Sequence, residues 1–322
     1  MVGVIMSIFV ASTNKNSAPR NVEKKIVLNE THALPAPVRL VNQPKFRDQV
    51  VERLLPLIYS QPCSRHYQLL VDIYRKYGNL QMAVKAAQEW KKFNPDDLKA
   101  LRIYDILAQR SLSGNAYLDN ELQPAPFAVI ENFLSEIERE YYLQKAISAE
   151  YSFNKAGIGF GDDIIIDSYR RDTNVLRMDD SEKNQIREKI QSQINLIFTR
   201  FQMNYIPVKN IEVKLTAHGQ GGFFTIHQDA FSEMKGSTRL LSWVYYFHSR
   251  PKKYIGGDLI LFDSSIAQES HQFSPVYYTR YIPQDNQIIF FPSWFYHAVT
   301  PVHLQCLKFD SYRFAISGHV RC

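Results

Sequence analysis

Cysteine is scarce in this chain. Its 322 residues hold three, Cys63, Cys306 and Cys322, at separations that no structural zinc site uses, and an odd number cannot pair off completely. Reduced thiols are the expectation, as in a cytoplasmic protein. Long apolar runs are also missing. The opening "MVGVIMSIFVAS" stays apolar for only about ten residues, too few to span a bilayer, and no basic residue precedes it as in a secretory leader. It reads as a segment packed on the protein or as residues ahead of the true start, and no membrane span is expected. Nor is there a dense basic block. The 38 basic residues stand against 32 acidic ones, and the net charge of +6 is spread along the sequence, so no nucleic-acid site is expected. No helix follows Gly256 and Gly257, which excludes a dinucleotide fingerprint and leaves a tight turn or bulge.

What is present is apolar and aromatic. A hydrophobic share of 45% with 13% aromatics is ample for a packed core, and the length suggests about two domains. Residues 1–45, with Asn, Ser, Pro and scattered charge, read as an arm or linker. From 46 to 115 the pattern is helical: "FRDQVVERLLPLIYSQ" is amphipathic, and "HYQLLVDIYRKYGNLQMAVKAAQEWKKFNPDD" follows. Its Leu70, Tyr74, Gly78, Ala83 and Pro95 fall where a tetratricopeptide unit places them, and this stretch resembles one. "LKALRIYDILAQR" reads as a partial second unit. A single hairpin of this kind cannot bury its own apolar face, so it must pack on the rest of the chain, a second copy or a protein partner.

Turn-rich residues 111–126 mark a boundary, and residues 124–322 read as a second domain. "FAVIENFLSEIEREYYLQKAI" is a strand followed by a helix, with a capping box at Ser135 and Glu138. Another helix covers about 181–201. Then come "IEVKLTAH", "GGFFTIHQD", "RLLSWVYYFHS", "GGDLILFD", "NQIIFFPS", "YHAVTPV" and "YRFAISGHV". Short aromatic and β-branched runs with intervening turns imply a sandwich or barrel, and helices first with strands after implies α+β.

The chemistry sits in the strands. In "FFTIHQDAF", period 2 puts His227 and Asp229 on one face. A chain this long yields on the order of half an H-x-D by chance, so the pair alone decides little. His297, in "FFPSWFYHAVTPV", can join them only through the fold. Two histidines and one carboxylate on one side of a metal leave open positions opposite, the facial set of non-haem iron(II) oxygenases. Arg313, on the alternating strand "YRFAISGHV", could pair bidentately with a dicarboxylate.

Residues from about 124 to 322 resemble the Fe(II)/2-oxoglutarate-dependent dioxygenases, in their prolyl 4-hydroxylase-like branch. The ordered blocks are "PAPFAVIENFLSEIE", "GQGGFFTIHQD", "RLLSWVYYF", "GGDLILF", "NQIIFFPSWFYHAVTPV" and "YRFAISGH". The resemblance implies a double-stranded β-helix, a jelly-roll core with supporting helices. It implies that His227, Asp229 and His297 bind Fe(II) and carry catalysis, that Arg313 holds 2-oxoglutarate, and that O₂ is consumed, with ascorbate as a further cofactor. Relatives often carry a Tyr where this chain has His218, so His218 is a candidate contact to the co-substrate. The separation of His297 from Arg313 is longer than in many members, which leaves Arg321 as the alternative carboxylate anchor. Arg171, Trp294 and Tyr296 are candidate substrate contacts. The remaining histidines, His32, His66, His248, His271, His303 and His319, read as surface or packed residues. The implied reaction hydroxylates an unactivated carbon and releases succinate and CO₂. A peptide or protein side chain is the expected substrate, a free amino acid or other small metabolite the runner-up. The reading from another class is a non-catalytic jelly roll whose helical part binds partners or a second copy of the chain.

Overall fold

The computed structural model describes residues 44–113, 122–157, 165–230, 238–266 and 271–322. The apolar opening and the arm up to residue 43 lie outside the described residues. The described chain begins with four helices, α1 (Pro44–Ser60), α2 (Ser64–Lys76), α3 (Leu80–Phe93) and α4 (Leu98–Leu107). Gly78, at φ +72°, makes the reversal between α2 and α3, where a residue with a Cβ would be strained. Asn79 caps α3 by accepting from the Met82 N–H, and Asp97 caps α4 through Lys99 and Ala100. Ala83 and Ala87 are fully buried, which brings the antiparallel helices close.

Fifteen strands and two further helices follow. The strands are β1 (Ala128–Glu131), β2 (Asn154–Lys155), β3 (Arg171–Asp172), β4 (Asn174–Leu176), β5 (Asn210–Ile211), β6 (Lys214–His218), β7 (Phe223–His227), β8 (Arg239–Phe247), β9 (Tyr254–Gly256), β10 (Leu259–Ile266), β11 (His271–Tyr281), β12 (Gln287–Pro292), β13 (His297–Val299), β14 (Val302–Leu304) and β15 (Arg313–Arg321). The helices are α5 (Glu136–Ser148), which starts with the Ser135–Glu138 capping box, and α6 (Asp180–Arg200), which starts with a second one at Asp179 and Glu182. One antiparallel sheet runs β1-β12-β8-β15-β6-β4-β2, with β5 beside β15, and the other β11-β10-β13-β7-β3. Facing each other, they make the double-stranded β-helix within an α+β chain.

Period 2 assigns each strand's two faces to different cores. Trp243, Tyr245, Phe247, Ile288, Phe290, Phe314 and Ile316 point outward, onto α5 and α6. Tyr246, Ile289, Phe291 and Ala315 point inward, where they meet Leu259, Leu261 and Tyr281. That inner cluster continues without a break into Leu70, Val71, Ala83, Trp90 and Ile103 of the helical region. One long strand, β11, has no counterpart in the sequence reading. Pro275 interrupts its pattern, and the structure accommodates it in a bulge: Phe262 pairs with Tyr278, but Ser264 already pairs with Phe273. Among the described residues, no helix is long and apolar enough to cross a membrane.

A buried ionic cluster joins the helices to the sandwich. Arg75, at the end of α2, donates to Asp72 (3.0 Å), Asp263 on β10 (2.5 and 3.2 Å) and Thr279 Oγ1 on β11 (3.0 Å). The Arg75 side chain is 2% exposed and that of Asp263 9%. Asp263→Ala would leave the guanidinium short of an acceptor, and breaking such a buried pair costs about 3–5 kcal/mol. Urea unfolding is expected to show a loss in that range, with the far-ultraviolet spectrum of the folded state retained. A loss below about 1 kcal/mol would mean that the cluster does not hold the two parts together.

Candidate metal centre and its anion-binding wall

Strands β7 and β13 are antiparallel neighbours, and His227 is the direct partner of His297. Their rings lie 4.1 Å apart between centroids. Asp229 stands two residues past His227, just beyond the strand end. Its own N–H and that of Ala230 both donate to the Ser293 carbonyl at 3.0 Å, so the turn leading to His297 also holds the carboxylate's backbone. His227 Nε2 is 3.7 Å and His297 Nε2 3.3 Å from Asp229 oxygens, and the three donor atoms lie within 4.8 Å of one another.

The tautomers suit a metal. His227 Nδ1 sits 2.8 Å from the Thr225 carbonyl and His297 Nδ1 3.0 Å from the Phe295 carbonyl. A carbonyl only accepts, so each Nδ1 carries the proton and each Nε2 presents its lone pair to the triad centre. Burial, with His297 beside it, holds the His227 imidazole well below its ordinary range, and hence neutral. Burial opposes ionisation of Asp229, and the Ser242 hydroxyl that donates to its Oδ2 at 2.6 Å favours the carboxylate form. A divalent cation takes imidazole nitrogen through its lone pair and carboxylate through its ionised form, and the Nε2 atoms and Asp229 offer these donors to one point. Nitrogen and oxygen donors without thiolate suit ferrous iron.

Two residues that the sequence reading passed over support Asp229. The Ser242 hydroxyl on β8 donates to Asp229 Oδ2 at 2.6 Å. His319, read from the sequence as a surface or packed residue, is buried with Nδ1 3.3 Å from Ser242 Oγ and 3.6 Å from Asp229 Oδ2. A signal existed: inward positions on β15 run 313, 315, 317, 319, so His319 had to share a face with Arg313.

Arg313 opens β15 opposite His218 on β6. Its Nε donates to the Gly257 carbonyl at 2.8 Å and its Nη1 to His218 Nδ1 at 3.2 Å. His218 therefore carries its proton on Nε2, which donates to Thr173 Oγ1 at 2.8 Å. Gly257 has φ +65°, and a Cβ there would lie 2.4 Å from Arg313 Cδ, so this glycine makes room for the arginine. The guanidinium lies 4.8 Å from the Tyr246 ring, whose buried hydroxyl has no hydrogen-bond partner. No carboxylate among the described residues pairs with Arg313. A buried guanidinium beside an orphaned hydroxyl fits a carboxylate supplied from outside.

The cavity between triad and arginine is lined by Arg171 and His218, but by neither Trp294 nor Tyr296. Trp294 packs against the inner core, and its carbonyl accepts from Gln228 Nε2. Tyr296 packs on Phe273, at 4.7 Å between rings. Arg321 pairs with Glu212 and does not line the cavity. His303 pairs through β14 with Ile255, away from the triad.

Residues 213–321 match the family model described as the 2OG-Fe(II) oxygenase superfamily. An uncharacterised PKHD-type hydroxylase of Synechocystis sp. is 30% identical over 198 residues, 62% of this chain and 64% of that protein, so the match spans less than two thirds of the relative. Among solved structures, a Pseudomonas putida prolyl-4-hydroxylase is similar at 17% identity and a TM-score of 0.42, over 62% of this chain and 94% of that one. A Trichoplax adhaerens prolyl hydroxylase, solved with a hypoxia inducible factor peptide fragment, is similar at 16% identity and 0.42, over 61% and 83%. The family model and the hydroxylase relative agree with the resemblance drawn from the motifs, in the strand-rich part of the chain.

Ser242→Ala removes the hydroxyl that orients Asp229. Loss of such a supporting contact typically weakens metal binding by about 10- to 100-fold. Titration of the metal-free protein with Fe(II) or Co(II) is expected to show a drop of that order, and an unchanged affinity would strip Ser242 of this role.

Proposed function

We propose that this chain is an iron(II)- and 2-oxoglutarate-dependent oxygenase that hydroxylates an unactivated carbon, most suitably in a side chain of a peptide or protein. The observation that carries the reading is the conjunction in one cavity of three converging metal donors with a buried arginine that pairs with no carboxylate among the described residues. The family model and the hydroxylase relative support it independently. When bound, the ion and its keto-acid co-substrate supply the oxidising power, as O₂ is reduced and 2-oxoglutarate becomes succinate and CO₂.

The chain's own residues hold, orient and dry the site. His227, Asp229 and His297 would hold the ion. Arg313, with the Tyr246 hydroxyl beside it, would hold the far carboxylate of 2-oxoglutarate, and His218 keeps the guanidinium in place. Phe224 stacks on His227 at 3.6 Å between ring centroids, and Phe291 meets His297 edge-on at 4.8 Å. These rings wall the triad with apolar surface, which strengthens charge interactions inside it. The peptide assignment draws on the prolyl 4-hydroxylase-like motifs. A free amino acid or another small metabolite is the second reading, favoured by the small volume of the cavity, about 80 Å³. A non-catalytic jelly roll has against it an intact ligand set and an intact arginine. Ascorbate enters only as an assay reductant, and a cytoplasmic location remains part of the proposal.

Succinate production from Fe(II), 2-oxoglutarate and O₂, measured without added substrate, tests the reading with no guess at the substrate. His227→Ala and Asp229→Ala are each expected to lower it at least a hundredfold. Turnover at the parent rate in either would refute the metal assignment. Arg313→Ala removes charge-assisted hydrogen bonds worth about 1.5–3 kcal/mol, so the KM for 2-oxoglutarate should rise roughly 10- to 100-fold, and an unmoved KM would send the anchoring role elsewhere.

A further inference from the structure

The inward face of β6 carries Lys214, Thr216 and His218, and that of β15 carries Arg313, Ala315, Ser317 and His319. The register pairs His218 with Arg313 and Lys214 with Ser317. Lys214 thus stands four residues along the strand from the Arg313 end, roughly 13 Å at about 3.3 Å per residue. It lines the same cavity, half-buried, and its ammonium has neither a hydrogen bond nor an ion pair among the described residues. Burial, with Arg171 close by, pushes it down to about 8. The two carboxylates nearest to it are committed. Glu212 accepts from Arg239 at 2.9 Å and from Arg321, and Asp229 belongs to the metal triad.

Arg171 faces the same space from β3. Its guanidinium lies 4.8 Å from the Phe224 ring, the ring that stacks on His227. Among the described residues its buried Nε has no partner, and the hydrogen bond from its Nη1 to the Gly157 carbonyl is long at 3.5 Å. The cavity lining holds three basic side chains, Arg171, Lys214 and Arg313, and one carboxylate, Asp229, which belongs to the metal set. Arg313 is taken up by the 2-oxoglutarate carboxylate in the oxygenase reading, and the other two basic groups lie away from the Arg313 end. Uncompensated charge in an enclosed site is costly, and a site that keeps it is built for a ligand that neutralises it.

We propose that Lys214 and Arg171 form a second anion subsite in the same cavity, away from Arg313, which grips an oxyanion of the molecule being oxidised. The primary substrate is then an acid: it carries a carboxylate or a phosphate near the carbon that reacts. The proposal rests on the oxygenase reading of the site and narrows it to acidic substrates, whether small molecules or peptides with acidic groups.

The test uses the full chain loaded with Fe(II) and 2-oxoglutarate. Matched probes are compared by the 2-oxoglutarate turnover that they stimulate: free L-amino acids against their amides, phosphoserine amide against serine amide, and short peptides with acidic residues against their Asn and Gln counterparts. The parent is expected to favour the charged member of the responding pair at least tenfold. In Lys214→Met that preference should fall towards one, and in Lys214→Arg it should return. Which pair responds tells carboxylate from phosphate and small molecule from peptide. A second readout needs no ligand. The metal-free Lys214→Met protein should melt a few degrees above the parent, because it relieves the repulsion between the ammonium and the neighbouring Arg171 guanidinium. Equal response to charged and neutral probes in the parent would overturn the proposal. So would a Lys214→Met protein that keeps the preference while its KM for 2-oxoglutarate rises as in Arg313→Ala, since Lys214 would then be an anchor for the co-substrate. A lower melting temperature for Lys214→Met would make the ammonium a structural group and count against it equally. If no succinate forms under any condition, the oxygenase reading fails by itself. Calorimetric binding of the same acids and amides to parent and Lys214→Met then still decides whether the subsite exists.

Discussion

The site depends on one cross-strand register, that of His227 against His297. Side chains in a sheet alternate, so a slip of one residue between β7 and β13 would turn one imidazole out of the cavity. Several contacts forbid the slip. β13 is held on its other side by β10, where His297 pairs with Leu261. The turn between β12 and β13 crosses from one sheet to the other, and its Ser293 carbonyl receives two N–H groups from the chain at Asp229 and Ala230. The same few residues therefore deliver the third imidazole and fix the backbone of the carboxylate. The Nδ1 bonds to main-chain carbonyls then set the tautomers, so the ring orientation is decided by backbone geometry and not by mobile side chains.

Around that centre the electrostatics are arranged in graded fashion. Asp229 is buried, and its carboxylate accepts from a serine hydroxyl. Arg313 is held by a carbonyl and by an imidazole that accepts, both neutral, so that its charge is positioned without being cancelled. Contrast Arg75, whose guanidinium meets two carboxylates and a hydroxyl. The same residue type is spent on cohesion in one place and kept in reserve in the other. Proteins commonly accept such local instability where a ligand is to bind, and the wide apolar core behind both sheets can carry it.

Much of this was legible before any coordinates. The helical stretch, the strand-rich half, the capping box at Ser135 and the jelly-roll class follow from periodicity, turn chemistry and ordered motifs. The convergence of His227, Asp229 and His297 was suggested by residue type, but only the fold can bring position 297 beside position 227. What stayed hidden did so for physical reasons. Strand β11 carries a proline at a bulge, which breaks the alternation that identifies strands. His319 looked like one histidine among nine, because its meaning lies in strand parity with Arg313 and in a contact with Ser242 across the sheet. Lys214 gave no signal, since a lysine on a strand normally points to water. Trp294 and Tyr296 misled in the opposite direction: adjacency to His297 in sequence put them at turn positions whose rings pack away from the cavity.

The helical region also changes meaning once its packing is seen. A lone hairpin with an apolar face calls for a cover, and the sandwich supplies it. Leu70, Val71, Trp90 and Ile103 share one cluster with Tyr246, Leu261 and Phe291, residues that form the back wall of the cavity or stand next to it. α2 lies against β11, and Arg75 locks that contact with charge. The face that a free-standing repeat would offer to a partner is therefore already buried here. A helix pair that braces the second sheet limits how far β10 and β13 can shift, and β13 carries a metal ligand. The stiffness of the candidate site is thus borrowed from helices that contribute no residue to it, and the chain's two halves are better understood as one mechanical unit than as an enzyme with an appended recognition module.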